Sequence, residues 1–437
     1  MSSSDTIVAL SSGGLPSGVA VIRISGGQTR GLLADLTGTV PPARRMVHRR
    51  IGRDVVIDRG LVVYFPAPAS FTGEDCAEFQ VHGSPAVVRA LLRLLTEAEG
   101  VRLASAGEFT RRAFENGRLD LAQAQGLADL LAAETENQRR LAIARAEGGL
   151  SRRVEGWRDR LIALRAEIES QLDFSDEGDV GALPADFSAA VLELAKDIGA
   201  VLATRGQGRI IRSGFRVVLA GPPNVGKSRL LNALSQSDVA IVSEEAGTTR
   251  DLKEVPLDLG GQLVILVDSA GLRETASKAE AIGVDRAMGA MRDADLILWL
   301  RAPDQPPAVR PDLDIDPALH PPILTIGTKS DLGVVPEVDL ALSAETGDGT
   351  AELLRRIERL SGNAGSASSE ILVSHEQDHH ALLVAHGYLQ EVPDQLEKPE
   401  LAAEGLRQAS AALERLLGVM DAEMILDRLF SQFCIGK

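Results

Sequence analysis

The sequence predicts a multidomain α/β protein: an N-terminal α+β domain, then a discontinuous helical domain into which a doubly wound α/β domain is inserted. Three observations carry this. The chain has 437 residues, more than one ordinary core holds and enough for roughly two to four domains. Near residue 119 its composition turns to Ala, Leu, Glu, Gln and Arg, which favour helix. Helix-like sequence then stands on both sides of a stretch in which strand-like and helical runs alternate, the mark of a doubly wound sheet.

In residues 1–118, Thr6–Leu10, Val19–Ile24, Gly60–Phe65 and Ala77–Val81 read as short strands between Gly and Pro breakers, with helices starting near Pro85 and Gly107. Residues 119–212 begin the helical domain. Leu121, Ala124, Leu127, Ala128 and Leu131 recur at helical spacing, and Gly148-Gly149 separates two long helices. Asp173–Asp179 is an acidic loop, and one further helix is expected from about Asp186 to Ile210. Residues 213–362 are the α/β domain, with strands Phe215–Ala220, Leu263–Val267, Asp295–Leu300 and Pro322–Gly327. The small, polar run Ser361–Ser369 reads as a linker. Residues 363–437 return to helix, from about Leu372 to Phe433.

Hydrophobic residues make up 44% of the chain and charged residues 25%, the profile of a soluble globular protein. The net charge of −16 excludes a broad basic clamp for nucleic acid. RNA contact is left to a local patch or a partner, and plain solubility accounts for the acidity by itself. The clusters Arg44-Arg45 with Arg49-Arg50 and Arg139-Arg140 with Arg152-Arg153 are such patches, or simply solvated surface. Two cysteines, Cys76 and Cys434, are too few for a disulfide framework and fit a reducing cytoplasm. The first residues are not those of a signal peptide, and no apolar run has the length of a membrane span.

Gly221-x4-Gly226-Lys227-Ser228 follows an apolar strand and precedes a helix, the setting in which a P-loop cradles phosphates with backbone N–H groups. Lys227 is expected to reach the β and γ phosphates, and Ser228 to ligate Mg2+ through its hydroxyl. Asn224, Val225, Gly226 and Arg229 complete this part of a GTP site. Thr249, in the run Ser243, Glu244, Glu245, Ala246, Gly247, Thr248, Thr249, is expected to complete the Mg2+ shell. Asp268, Ser269, Ala270 and Gly271 follow the next strand, with Asp268 holding Mg2+ through water. Thr328, Lys329, Ser330 and Asp331 occupy the base-reading position, with Ser343-Ala344 beneath the base. A carboxylate at Asp331 accepts two hydrogen bonds from guanine N1 and N2, a donor pair that adenine lacks. Thr328 stands where most GTPases have Asn; it keeps a hydroxyl and loses the amide fork. Leu272 stands where many GTPases place the Gln that orients water, so another residue must do this.

Asn224, Gly247-Thr-Thr-Arg-Asp251, Asp268-x-Ala-Gly-Leu-Arg-Glu274 and the terminal Cys434-Ile-Gly-Lys437 together resemble the MnmE (TrmE) family of tRNA modification GTPases, essentially over the whole chain. The resemblance implies a K+-activated GTPase whose G domains dimerise across the nucleotide and whose N-terminal domains form a constitutive homodimer. It implies K+ held by Asn224, Ser243, Glu245 and Thr248, and Glu280 as the catalytic residue that orients water. It implies an N-terminal 5-formyl-tetrahydrofolate site at Arg23, Glu78, Arg118 and Lys437. The family most often has Lys at the position of Arg118. An FAD-dependent partner, MnmG (GidA), is expected in a heterotetramer, the pair adding a carboxymethylaminomethyl or aminomethyl group to C5 of a tRNA wobble uridine. Cys434 stays open between nucleophile, buried small hydrophobe and inert thiol. The alternative reading is a regulatory switch GTPase that binds a protein or RNA partner without carbon chemistry.

Overall fold

A computed structural model describes residues 5–173, 183–241, 254–268, 287–306, 313, 320–365, 371–418, 429–430, 433 and 436. The chain divides into two compact units, each discontinuous in sequence: Met1–Ala128 with Arg145–Ala166 and Leu406–Lys437, and Asp129–Ala144 with Glu167–Gly405.

The first unit holds a six-stranded sheet. Its strands are β1 (Thr6–Leu10), β2 (Ser17–Ser25), β3 (Val47–Ile51), β4 (Asp58–Phe65), β5 (Cys76–Gly83) and β6 (Val101–Leu103), in the order β3-β4-β5-β2-β1-β6. Helices α1 (Thr29–Thr37) and α2 (Pro85–Thr96) cover one face, burying Leu33, Leu36 and Leu91 against Ile22, Ile24 and Phe79. Helix α2 starts where the sequence signals it: Pro85 sits in the first turn and the Ser84 hydroxyl accepts from the Ala86 amide at 3.3 Å. Strands β3 and β6 were not anticipated. The alternation in β3 is carried by His48, Arg49 and Arg50, which conceals a strand from any hydrophobic pattern.

Helix α3 (Glu108–Glu115) is fixed by a buried ion network. Arg112 reaches both carboxylate oxygens of Glu74 at 3.1 Å and Glu108 at 3.2 Å, and Arg102 binds Glu108 at 2.6 and 2.9 Å. Burial pushes the Glu108 carboxyl up, but hydrogen bonds from the Arg102 guanidinium and the Ser105 amide outweigh it and hold the group at about 2, against an ordinary 4.5. A depressed folded value means stability that is present above the unfolded value and lost as pH falls from 4.5 towards 2. Glu108→Gln is expected to lower stability by about 2 kcal/mol near neutral pH. Wild type and variant should converge in acid; urea titrations across the two pH values check it, and a constant gap would contradict the linkage.

Phe430 and Phe433 bury beside Leu121, Ala124 and Leu429, their ring centroids 6.2 Å apart. Helices α4 (Leu121–Ala132), α5 (Glu136–Ala146) and α6 (Gly149–Asp173) follow the predicted helical stretch, with Gly148 separating the last two. The expected single helix to Ile210 is two, α7 (Phe187–Leu202) and α8 (Arg205–Ser213). Between them the Thr204 hydroxyl donates to the Val201 carbonyl at 2.8 Å, a side-chain bond that competes with the helix ladder.

The second unit holds the other six-stranded sheet, in the order β12-β11-β10-β7-β9-β8. Its strands are β7 (Phe215–Ala220), β8 (Glu254–Leu259), β9 (Gln262–Asp268), β10 (Leu296–Arg301), β11 (Ile323–Gly327) and β12 (Leu340–Ala341). All pairings are parallel except β8 with β9. Four of these six match the predicted strands to within about a residue. Strand β8 was hidden by Pro256, which a central strand does not tolerate; β8 is an edge strand, where proline is admitted. The helix Thr350–Gly365 runs into the expected linker, with Ser361 fully buried. The helices Glu376–Glu391 and Pro399–Leu416 follow. Among the described residues, no helix is long and apolar enough to cross a membrane.

Candidate nucleotide-binding site

The site stands at the carboxyl end of β7, between that strand and helix α9 (Lys227–Ser235). The chain turns there through Gly221 at φ +143°, Asn224 at φ +61° and Gly226 at φ +101°. A Cβ on Gly221 would lie 2.6 Å from the Leu300 carbonyl oxygen, so the loop requires glycine at its first position. Val225 is fully buried and anchors the loop in the core, while Asn224 is exposed at its apex.

Lys227 is only 7% exposed, and its Nζ donates to the carbonyls of Gly221 and Pro222, each at 2.8 Å. The loop thus holds its own ammonium inside the cradle, facing where a phosphate would sit. The Ser228 hydroxyl donates to Asp268 Oδ2 at 2.7 Å. Asp268 ends β9, opposite Leu219 of β7 in register, and is 3% exposed. These residues come from separate motifs, and their convergence joins a hydroxyl to a carboxylate, the hard oxygens that Mg2+ prefers. The donor set fits that ion.

On the base side, the Asp331 carboxylate accepts from the Ser343 hydroxyl at 2.6 Å, and that hydroxyl accepts from the Glu345 and Thr346 amides at 3.3 Å. Ser343 is buried, Asp331 is exposed, and Ala344 packs on the core. The carboxylate is therefore pre-aimed from behind. Thr328 is 3% exposed, and its hydroxyl bonds the Val225 carbonyl at 2.6 Å and the Arg301 carbonyl at 3.1 Å. It ties the phosphate loop to the base loop rather than presenting a polar fork to the base. Lys329, at φ +54°, pairs with Asp304 at 2.6 Å, and Arg229 pairs with Glu345 at 3.3 Å. Ser243 to Thr249, Ser269 to Gly271, Leu272 and Glu280 lie outside the described residues.

A second constellation lies in the first unit. Arg23 and Glu78 are directly paired across β2 and β5, and Arg23 binds Glu78 Oε1 through Nε at 3.1 Å and Nη2 at 2.9 Å. The guanidinium lies 5.8 Å from the Phe71 ring centroid and 5.7 Å from that of Phe109. The Gly436 carbonyl accepts from Arg23 Nη1 at 3.4 Å and from the Ser11 hydroxyl at 2.6 Å. A Cβ on Gly436, at φ +101°, would meet the Leu10 carbonyl oxygen at 2.3 Å, so this position requires glycine. Arg118 is exposed, and its stem lies beside Gly73, two residues after Phe71. Cys434 and Lys437 lie outside the described residues. Phe71, Phe109 and Ser11 do not stand out in the sequence, because only the fold brings them to Arg23. Among the described residues Glu78 Oε2 accepts no hydrogen bond. The aromatic, cationic and carboxylate groups fit a reduced folate.

The doubly wound sheet, the lysine-bearing loop, the Ser228–Asp268 contact and the Ser343-held Asp331 define a P-loop domain of the GTPase class. The model of the MnmE helical domain matches residues 121–434, and that of the GTP-binding protein TrmE N-terminus matches residues 6–118. The tRNA modification GTPase MnmE of Rhizobium johnstonii is 49% identical over 440 residues, covering 99% of each chain. The proteins of that name from Rhizobium etli and Rhizobium meliloti are 48% and 47% identical, over 99% and 100% of each chain. The chain belongs to the MnmE family of tRNA modification GTPases.

Proposed function

We propose that the chain hydrolyses GTP, and that hydrolysis serves the modification of tRNA wobble uridines at C5, with a carboxymethylaminomethyl or aminomethyl group built from a folate one-carbon unit. The observation that carries the GTPase part is the pair of pre-set contacts, Lys227 within its loop and Asp331 on Ser343. On arrival of GTP, Lys227 exchanges loop carbonyls for phosphate oxygens. Asp331 accepts hydrogen bonds from guanine N1–H and N2–H while Ser343 keeps its carboxylate in place. Thr328, bonded to the Val225 carbonyl, holds the phosphate loop in register with the base.

Mg2+ would be held by Ser228 and Thr249, with Asp268 behind, and it would supply positive charge to the β and γ phosphate oxygens. K+ would be held by Asn224, Ser243, Glu245 and Thr248, in place of an arginine finger; the exposed Asn224 at φ +61° supports this. Glu280 would orient the water, a role Leu272 cannot fill. Residues 1–118 would bind 5-formyl-tetrahydrofolate or a related folate through Arg23, Glu78, Arg118 and Lys437 and form the homodimer. Residues 119–212 and 363–437 would be the helical domain and 213–362 the GTPase domain; the two family models, at residues 6–118 and 121–434, support the division near residue 118. The FAD-dependent MnmG protein would join in a heterotetramer in the cytoplasm.

Turnover is expected to rise at least about tenfold in K+ over Na+ at equal ionic strength, the charge-stabilising cation being worth more than about 1.4 kcal/mol. Glu280→Ala should lower kcat about a hundred-fold or more with nucleotide affinity intact. Phosphate-release assays in both salts measure this, and equal rates would remove the K+ assignment.

A further inference from the structure

Six arginines and two aspartates fall within residues 41–60, in a chain whose net charge is −16. Arg49 and Arg50 lie on β3, the outermost strand of the first unit's sheet, and Arg59 lies on β4 beside it; Arg45 precedes β3, while Arg53 pairs with Asp35 at 2.6 Å. Arg50 and Arg59 are directly opposite each other in register, and both are exposed. Like charges in that position repel and weaken the strand pair. Protecting an edge from strand pairing needs charge but not a like-charge pair, and opposite signs would stabilise it. Arg49 Nη1 and Arg50 Nη2 donate only to backbone carbonyls, of His48 and of Arg53 and Asp54. Among the described residues, no carboxylate pairs with the guanidinium groups of Arg45, Arg49, Arg50 or Arg59. In the second basic cluster Arg139 and Arg140 differ, since both bind the Glu136 carboxylate at 2.7 Å.

We infer that the β3–β4 edge is an RNA-backbone surface, with Arg45, Arg49, Arg50 and Arg59 contacting phosphates of the tRNA. This rests on the proposed tRNA reading and locates it. Charge complementarity selects a polyanion, and guanidinium forks suit phosphate oxygens. With no exposed aromatic interleaved among these arginines, the surface positions the RNA and does not read bases.

The test is fluorescence anisotropy of a labelled tRNA transcript with the full chain, over a range of salt. Replacing the four arginines together by Gln should weaken binding at least about thirty-fold at low salt and reduce the slope of log K against log salt by about 3. The set Arg→Lys should keep both, and GTP hydrolysis should be unchanged in all. RNA crosslinking to the wild-type chain, mapped by mass spectrometry, should fall within residues 44–59. Unchanged RNA affinity in the Gln set, or crosslinks elsewhere, would overturn the surface while the tRNA reading stands. Loss of self-association with RNA affinity kept would also overturn it and make the edge a contact between copies. A wild-type chain that binds GTP but no tRNA would remove the surface and the tRNA reading together.

Discussion

Lys227→Ala is expected to lower kcat/KM for GTP by about a thousand-fold or more. The ammonium is 7% exposed and held by two loop carbonyls. A charge-assisted bond to phosphate, made in a site closed to water, is worth about 4 kcal/mol, which is that factor in rate. The variant also leaves the Gly221 and Pro222 carbonyls without this donor. The loop itself should persist, because Val225 is buried and its carbonyl stays bonded to Thr328. Steady-state hydrolysis with a parallel nucleotide titration measures the effect. A loss under about tenfold would mean that the lysine does not meet the phosphates.

Asp331→Asn is expected to exchange guanine for xanthine. The carboxylate matches the two donors at guanine N1 and N2. An asparagine offers one acceptor for N1 and one donor for the oxygen that xanthine carries at C2. GTP affinity should fall about a hundred-fold or more and XTP should bind in its place, since a mismatched polar edge costs about 3 kcal/mol. Competition titrations with the two nucleotides check this. Ser343→Ala, which removes only the hydroxyl at 2.6 Å, should cost less and leave the preference for guanine. Equal affinity of the Asp331→Asn chain for both nucleotides would place base reading elsewhere.

The phosphate half of the site was legible because it is local. A strand, a glycine loop and a helix lie within residues 215–235, and short-range pattern specifies all three. Asp268 and Asp331 were legible because each follows an apolar strand in the expected order. What Thr328 does was not legible. Its sequence context shows only a missing amide, whereas its hydroxyl reaches a carbonyl 103 residues away. The same holds for the pairing of Arg23 with Glu78, which depends on the register of β2 against β5. Both residues were expected to meet a ligand, and the fold first makes them partners of each other. Strands β3 and β8 escaped because charge in one and Pro256 in the other break the patterns that mark strands. The break between α7 and α8 is hidden in the sequence because the Thr204 side-chain bond leaves no periodic trace.

In the function proposed above, a GTPase cycle in this chain serves wobble-uridine modification. The most direct measurement is mass spectrometry of tRNA nucleosides from cells that lack the protein, complemented with the wild-type or the Lys227→Ala chain. C5-modified wobble uridines are expected to vanish on deletion, return with the wild-type chain and stay absent with Lys227→Ala. Full modification in the deletion strain would contradict that function.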